Sequence, residues 1–75
     1  MSRLPLLSGE KLCGILMCAG YVIHHQTGSH IILRHRETPH HRLTIPNHRE
    51  ISIGTLRAIL KQAGLTVEEF RTLMR

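Results

Sequence analysis

The chain has few aromatic residues, acids or cysteines and no long apolar runs, and each shortage removes a class of function. Tryptophan is absent, and Tyr21 and Phe70 are the only aromatics besides histidine. Base-stacking platforms of the RRM or OB type need more than that. Cysteine occurs twice, at Cys13 and Cys18, without C-x-x-C spacing. The two make no disulfide framework, fit a reducing cytoplasm, and read as core or core-edge packing. No stretch nears the roughly 18 uncharged apolar residues of a membrane span. No apolar run follows Arg3 either, so no signal peptide is expected. Seventy-five residues leave room for one domain, residues 1–75, and none for a deep cofactor cleft.

What is present is positive charge. Ten Lys and Arg stand against five acids, a formal net charge of +5 with histidine neutral, and seven histidines can add to it as pH falls. The charge is also segregated. All seven histidines lie between His24 and His48, together with Arg34, Arg36 and Arg42, and Glu37 is the sole acid in that span. Phosphate backbones are the commonest partner of such a surface. With so few aromatics, that leaves recognition of backbone and shape, or a histidine acting directly on phosphate.

Hydrophobic spacing supplies the elements. Leu12, Ile15, Leu16 and Ala19 repeat at helical spacing from Ser8 to Ala19, with Ser8 as N-cap and Gly20 as the turn that follows. The period then drops to two. Tyr21–Gln26 reads as a strand, Thr27-Gly28 as a turn, Ser29–Arg36 as a second strand, and His40–Ile45 as a third. Glu37-Thr38-Pro39 breaks the second strand, and Pro46, lacking an N–H, stops the ladder. Leu56, Ile59, Leu60 and Ala63 mark a second helix between Ser52 and Gly64. Thr66–Glu69 is a capping box with a Leu65–Phe70 staple opening a short last helix. The fold class is therefore α+β, an α-β-β-β-α order with a three-stranded antiparallel sheet. The first two helices are expected side by side on one sheet face, leaving the other open.

One segment carries chemistry. Gly28-Ser29-His30 sets a glycine turn, where backbone can approach a ligand, against a histidine on a rigid strand start. Around it stand Ala19-Gly20-Tyr21, the run Ile31-Ile32-Leu33, then Ile45-Pro46-Asn47-His48, and Gly54-Thr55-Leu56-Arg57 leading through Ile59-Leu60-Lys61 to Ala63-Gly64. In order and spacing the chain resembles the HicA toxin family of bacterial and archaeal toxin–antitoxin systems, from Leu7 to Leu73. The resemblance implies a double-stranded-RNA-binding-domain-like fold, an mRNA interferase activity, and a neutralising HicB-type antitoxin. It places the catalytic histidine at His30. Two features depart from the common pattern: the histidine-rich stretch His35–Arg42, and Cys13 and Cys18 in the first helix.

Residue chemistry suits that role. RNA carries its own nucleophile, the 2′-OH, so a base for its proton and an acid for the leaving 5′-oxygen suffice. Imidazole, with a reference pKa of about 6.5, serves as either. His30 is general base or acid. His48 is a second acid/base partner or, in the favoured reading, a loop residue ordering the entry to the next helix. Ser29 orients the substrate or caps the turn. Arg34, Arg36 and Arg42 are phosphate contacts, and Lys11 is either another or a solvated helix lysine. Arg34, four residues along the strand, lies about 13 Å from His30, beside a neighbouring nucleotide. No cofactor or metal is called for. His24-His25 and His40-His41 are adjacent on strands and so point to opposite faces, a poor start for a zinc site. The rival readings are that metal site, a non-catalytic RNA-binding module, and a pure protein-interaction module.

Overall fold

The computed structural model describes residues 4–38 and 40–74; Arg3 and the strand-breaking Pro39 lie outside the described residues. The elements are α1 (Gly9–Met17), β1 (Tyr21–Gln26), β2 (His30–His35), β3 (Arg42–Pro46), α2 (Ile53–Ala63) and α3 (Val67–Leu73). The strands form an antiparallel meander in the order β1-β2-β3. This is the α+β, α-β-β-β-α arrangement the sequence predicts, with a third helix appended.

The helix ends form where their capping residues stand. Ser8 accepts the Lys11 N–H and Ser52 the Thr55 N–H, while Thr66 and Glu69 close a reciprocal capping box. Each satisfies donors that the first helical turn leaves unpaired. α1 stops two residues earlier than its apolar spacing suggests. Its last turn tightens into i→i+3 bonds, Cys18 N–H to Ile15, Ala19 N–H to Leu16 and Gly20 N–H to Met17. Gly20 then turns the chain at φ +95°, and a Cβ there would stand 2.7 Å from the His35 ring. Both conditions demand glycine.

Strand ends also move. β2 begins at His30, not Ser29, because Gly28 and Ser29 form the hairpin tip. β3 begins at Arg42: His40 lies in a turn, and His41 donates its N–H to Thr38. Pro46 does not stop the ladder. It pairs with His30, and the next rung is Asn47 N–H to the Ser29 carbonyl, 2.9 Å. That phase makes His30–Pro46 a non-hydrogen-bonded pair on an edge strand, so the missing proline N–H would have pointed outward.

Ile31, Leu33, Leu43 and Ile45 are buried on the helix side with Leu12, Leu16, Leu56 and Phe70. α1 lies against all three strands and α2 against β3. The expectation that α1 and α2 pack side by side fails: among the described residues they do not come within 8 Å, Cα to Cα, and α3 touches both. Fully buried Phe70 anchors α3, so the short last helix is part of the core.

A bulge in β1 overturns one face assignment. Ile23 pairs with Leu33 but His25 with Ile32, leaving His24 as an extra residue. Beyond the bulge the alternation is shifted by one, so His25 joins Val22 on the open face and leaves the side of Tyr21.

Candidate functional site

His30 heads β2 and is exposed on the open face. The hairpin tip that presents it is held from two sides. From within, Thr27 N–H donates to the His30 carbonyl at 2.8 Å, and the His30 N–H donates to the Thr27 hydroxyl oxygen at 3.0 Å. The Thr27 side chain thus replaces its own carbonyl in closing the turn. From just past β3, Asn47 holds the tip through its backbone bond to Ser29 and a longer side-chain bond, 3.5 Å, to the Gly28 carbonyl. Gly28 has no left-handed φ, and a Cβ there would meet nothing within 4 Å. The chain itself therefore makes no demand for glycine at this turn, and the space beside it is open.

Ser29 Oγ lies 3.1 Å from His30 Nδ1. When the hydroxyl donates, the neutral ring carries its proton on Nε2; general-acid action belongs to the protonated ring, in which Nδ1–H donates to the hydroxyl and Nε2–H is the proton to be given up. When the hydroxyl accepts from the neutral ring, Nε2 presents a lone pair and can act as a base. Either way Nε2 is the nitrogen turned to a ligand.

α1 is locked to the same end of the sheet. The Gly9 N–H donates to the His48 carbonyl at 2.9 Å, and a Cβ at Gly9 would overlap the Pro46 carbonyl oxygen. This brings Lys11, in the first turn of α1, to the end of the sheet that carries His30. His48 is exposed in the link after β3. Its carbonyl orders the α1 start, and among the described residues no side-chain bond joins it to His30.

The arginines gather elsewhere. Arg34 and Arg42 pair across β2 and β3 at the opposite end of the sheet, and Arg36 is exposed just beyond β2. Four strand residues separate Arg34 from His30, about 13 Å. The structure brings Arg34 and Arg42 to each other but not to His30. Between the two ends stand His24 and His25, whose rings meet on the open face with Nδ1 atoms 2.7 Å apart. The strict alternation read from the sequence sent them to opposite faces; the bulge reverses that.

Two further histidines are structural. His35 Nδ1 accepts the Glu37 N–H, so its Nε2 is the protonated nitrogen and donates to the Ala19 carbonyl at 3.1 Å. His41 Nε2 lies 2.8 Å from the Gln62 carbonyl at the end of α2. Both rings stand edge-on to buried Tyr21, whose burial raises its phenol above the ordinary range. Among the described residues no three His, Cys, Asp or Glu side chains gather to hold a metal ion. Cys13 is buried, as its spacing suggests, but Cys18 is exposed and outside the core.

The sequence did not single out Thr27 or Asn47 as site residues, and it weighed His24 and His25 only as one half of a rival metal site. A hydroxyl before the glycine turn and an amide after Pro46 were the only signals for the first two. That the two imidazoles share a face had no signal, since a bulge leaves no reliable mark in the residues. Among the described residues, no helix is long and apolar enough to cross a membrane. A family model described as HicA toxin of bacterial toxin–antitoxin matches residues 9–65. A comparison with curated proteins finds no match.

Proposed function

Because the chain belongs to the HicA toxin family, we propose that it is a metal-independent endoribonuclease that cuts mRNA, and that a HicB-type antitoxin neutralises it. The observation that carries this reading is the exposed His30 ring, bonded at Nδ1 to Ser29 so that Nε2 is the nitrogen left for a ligand, on the sheet face whose far end carries Arg34 and Arg42. In the reaction a base removes the 2′-OH proton and the 2′-oxygen bonds to phosphorus. The P–O5′ bond then breaks, and the leaving 5′-oxygen takes a proton. His30 performs one of these transfers. Lys11, Arg34, Arg36 and Arg42 hold phosphates along the strand, and Ser29 orients the ring. The antitoxin inhibits by covering the His30 end or the cationic face, and the site of action is the cytoplasm, where message is found.

The test is cleavage of a message-derived RNA by the purified protein and by His30→Ala, in the presence of EDTA. The parent cuts, and His30→Ala loses activity by roughly 10²–10⁴-fold, the usual worth of an acid/base group, while still binding RNA. Binding without cleavage by the parent would instead mark a non-catalytic RNA-binding module. Growth arrest by His30→Ala equal to that by the parent would end the nuclease reading.

A further inference from the structure

The open face holds a second constellation that the His30 chemistry does not use. The His24 and His25 rings stand 4.9 Å apart at 71°, with Nδ1 facing Nδ1 at 2.7 Å. At that distance one nitrogen must donate and the other accept. A single added proton, on the donor ring's Nε2, yields a charge-assisted N–H···N bond, whereas a further one would set two Nδ1–H groups head to head. The pair accommodates one positive charge and resists a second.

Across the sheet stand Arg34 and Arg42. His35 N–H donates to the His41 carbonyl, the bonding phase that makes Arg34–Arg42 a non-hydrogen-bonded pair, in which side chains approach most closely. Like charges directly opposite are unfavourable, and among the described residues no acid pairs with them. The neighbours on this face are Val22, Ile32 and Thr44, and Glu37 lies beyond β2. His24 senses the excess: local desolvation first, then the fields of Arg42, His25 and Arg34, hold its imidazole below the ordinary histidine range. Among the described residues, the charged and titratable groups that the register sets on this face beside the pair are His30 and Arg34 from β2 and Arg42 from β3, and the described helices lie against the other face. Such a face offers an anion two guanidinium groups and an imidazole pair within a few residues of one another.

We infer that His24 and His25, with Arg34 and Arg42, form a phosphate subsite separate from His30 that takes up one proton as it binds a phosphodiester. It rests on the RNA reading above and adds a place for a nucleotide other than the one cut. The sign of its pH dependence follows from linkage. A bound phosphate favours the charged pair over the neutral one, so binding consumes a proton and affinity rises as pH falls. Once the free pair is itself protonated, at lower pH, the slope vanishes.

The experiment uses His30→Ala protein, so that RNA stays intact, and a single-stranded RNA oligonucleotide. Affinity is measured from pH 8 to pH 5.5, at about 0.1 M salt to limit screening, with and without the added substitutions His24→Gln and His25→Gln. Affinity of His30→Ala climbs as pH falls, up to roughly tenfold per pH unit for one proton, and the added substitutions flatten the slope. The imidazole ¹⁵N signals of His24 and His25 move when RNA is added, a readout that needs no substitution at the pair. Equal slopes, or unmoved signals with RNA bound, overturn the subsite and leave the RNA reading standing. If RNA fails to bind, the RNA reading falls, and inorganic tripolyphosphate decides the subsite. Movement of the two signals keeps it as a phosphate site, and their stillness removes it.

Discussion

Ser29 Oγ and His30 Nδ1 are 3.1 Å apart, the sole side-chain bond on the His30 ring among the described residues. The ring is otherwise exposed, so this bond restricts its rotation while admitting either tautomer. The backbone beneath it is held by Thr27 and Asn47. A rigid strand start thus carries a ring with one attachment and one free nitrogen.

Ser29→Ala removes that attachment and leaves the backbone bonds of the tip in place. A single neutral hydrogen bond contributes about 0.5–1.5 kcal/mol, so the cleavage rate falls roughly two- to tenfold. RNA affinity and thermal midpoint stay near those of the parent. Single-turnover cleavage beside an unfolding curve checks this. A loss as large as that of His30→Ala would mean that Ser29 itself meets the reacting atoms.

Three glycines separate three physical roles under the same substitution. Gly9→Ala forces a Cβ into the Pro46 carbonyl, and such overpacking costs about 1–3 kcal/mol. Gly14→Ala, in α1 with nothing within 4 Å, stabilises by roughly 0.5–1 kcal/mol through helix propensity. Gly28→Ala leaves stability within about 0.5 kcal/mol but lowers cleavage, because the added methyl fills the space where RNA backbone approaches His30. Urea midpoints order the first two, and cleavage at unchanged midpoint isolates the third.

The two cysteines diverge in reactivity. Burial first, and then the Glu10 charge, push the Cys13 thiol up to about 11, and the group is buried. Cys18 is exposed. At pH 8 iodoacetamide, which attacks the thiolate, therefore labels Cys18 alone in the native protein and both thiols in urea. Because the native pKa of Cys13 lies above its unfolded value, the unfolded chain loses this proton first. Native stability consequently declines as pH rises from the ordinary thiol range toward 11. Peptide mapping locates the label, and a flat stability between pH 8 and pH 10.5 would contradict the assignment.

Much of this molecule is written in local terms. Ser8, Ser52 and the Thr66–Glu69 box start helices where they stand because a cap acts within one turn. Apolar alternation in Ile31-Ile32-Leu33 and Leu43-Thr44-Ile45 assigns the buried face because a strand has period two. The Gly28-Ser29-His30 segment places its histidine at the head of β2 for the same local reason. Strand ends at Ser29, His40 and Pro46 were less legible, since they depend on which backbone bonds the neighbouring strand accepts.

The residue order alone thus determined the α+β class, the capped helices, the inward faces of β2 and β3, and the exposed strand-leading His30, all set by interactions a few residues long. Only the tertiary structure decided that α3 touches both α1 and α2 and that Phe70 is fully buried. It alone showed that Asn47 clamps the hairpin tip, and that a bulge turns His24 and His25 together beside Arg34 and Arg42. Those outcomes depend on pairing phase and volume filling between segments distant along the chain, for which no local pattern carries a mark.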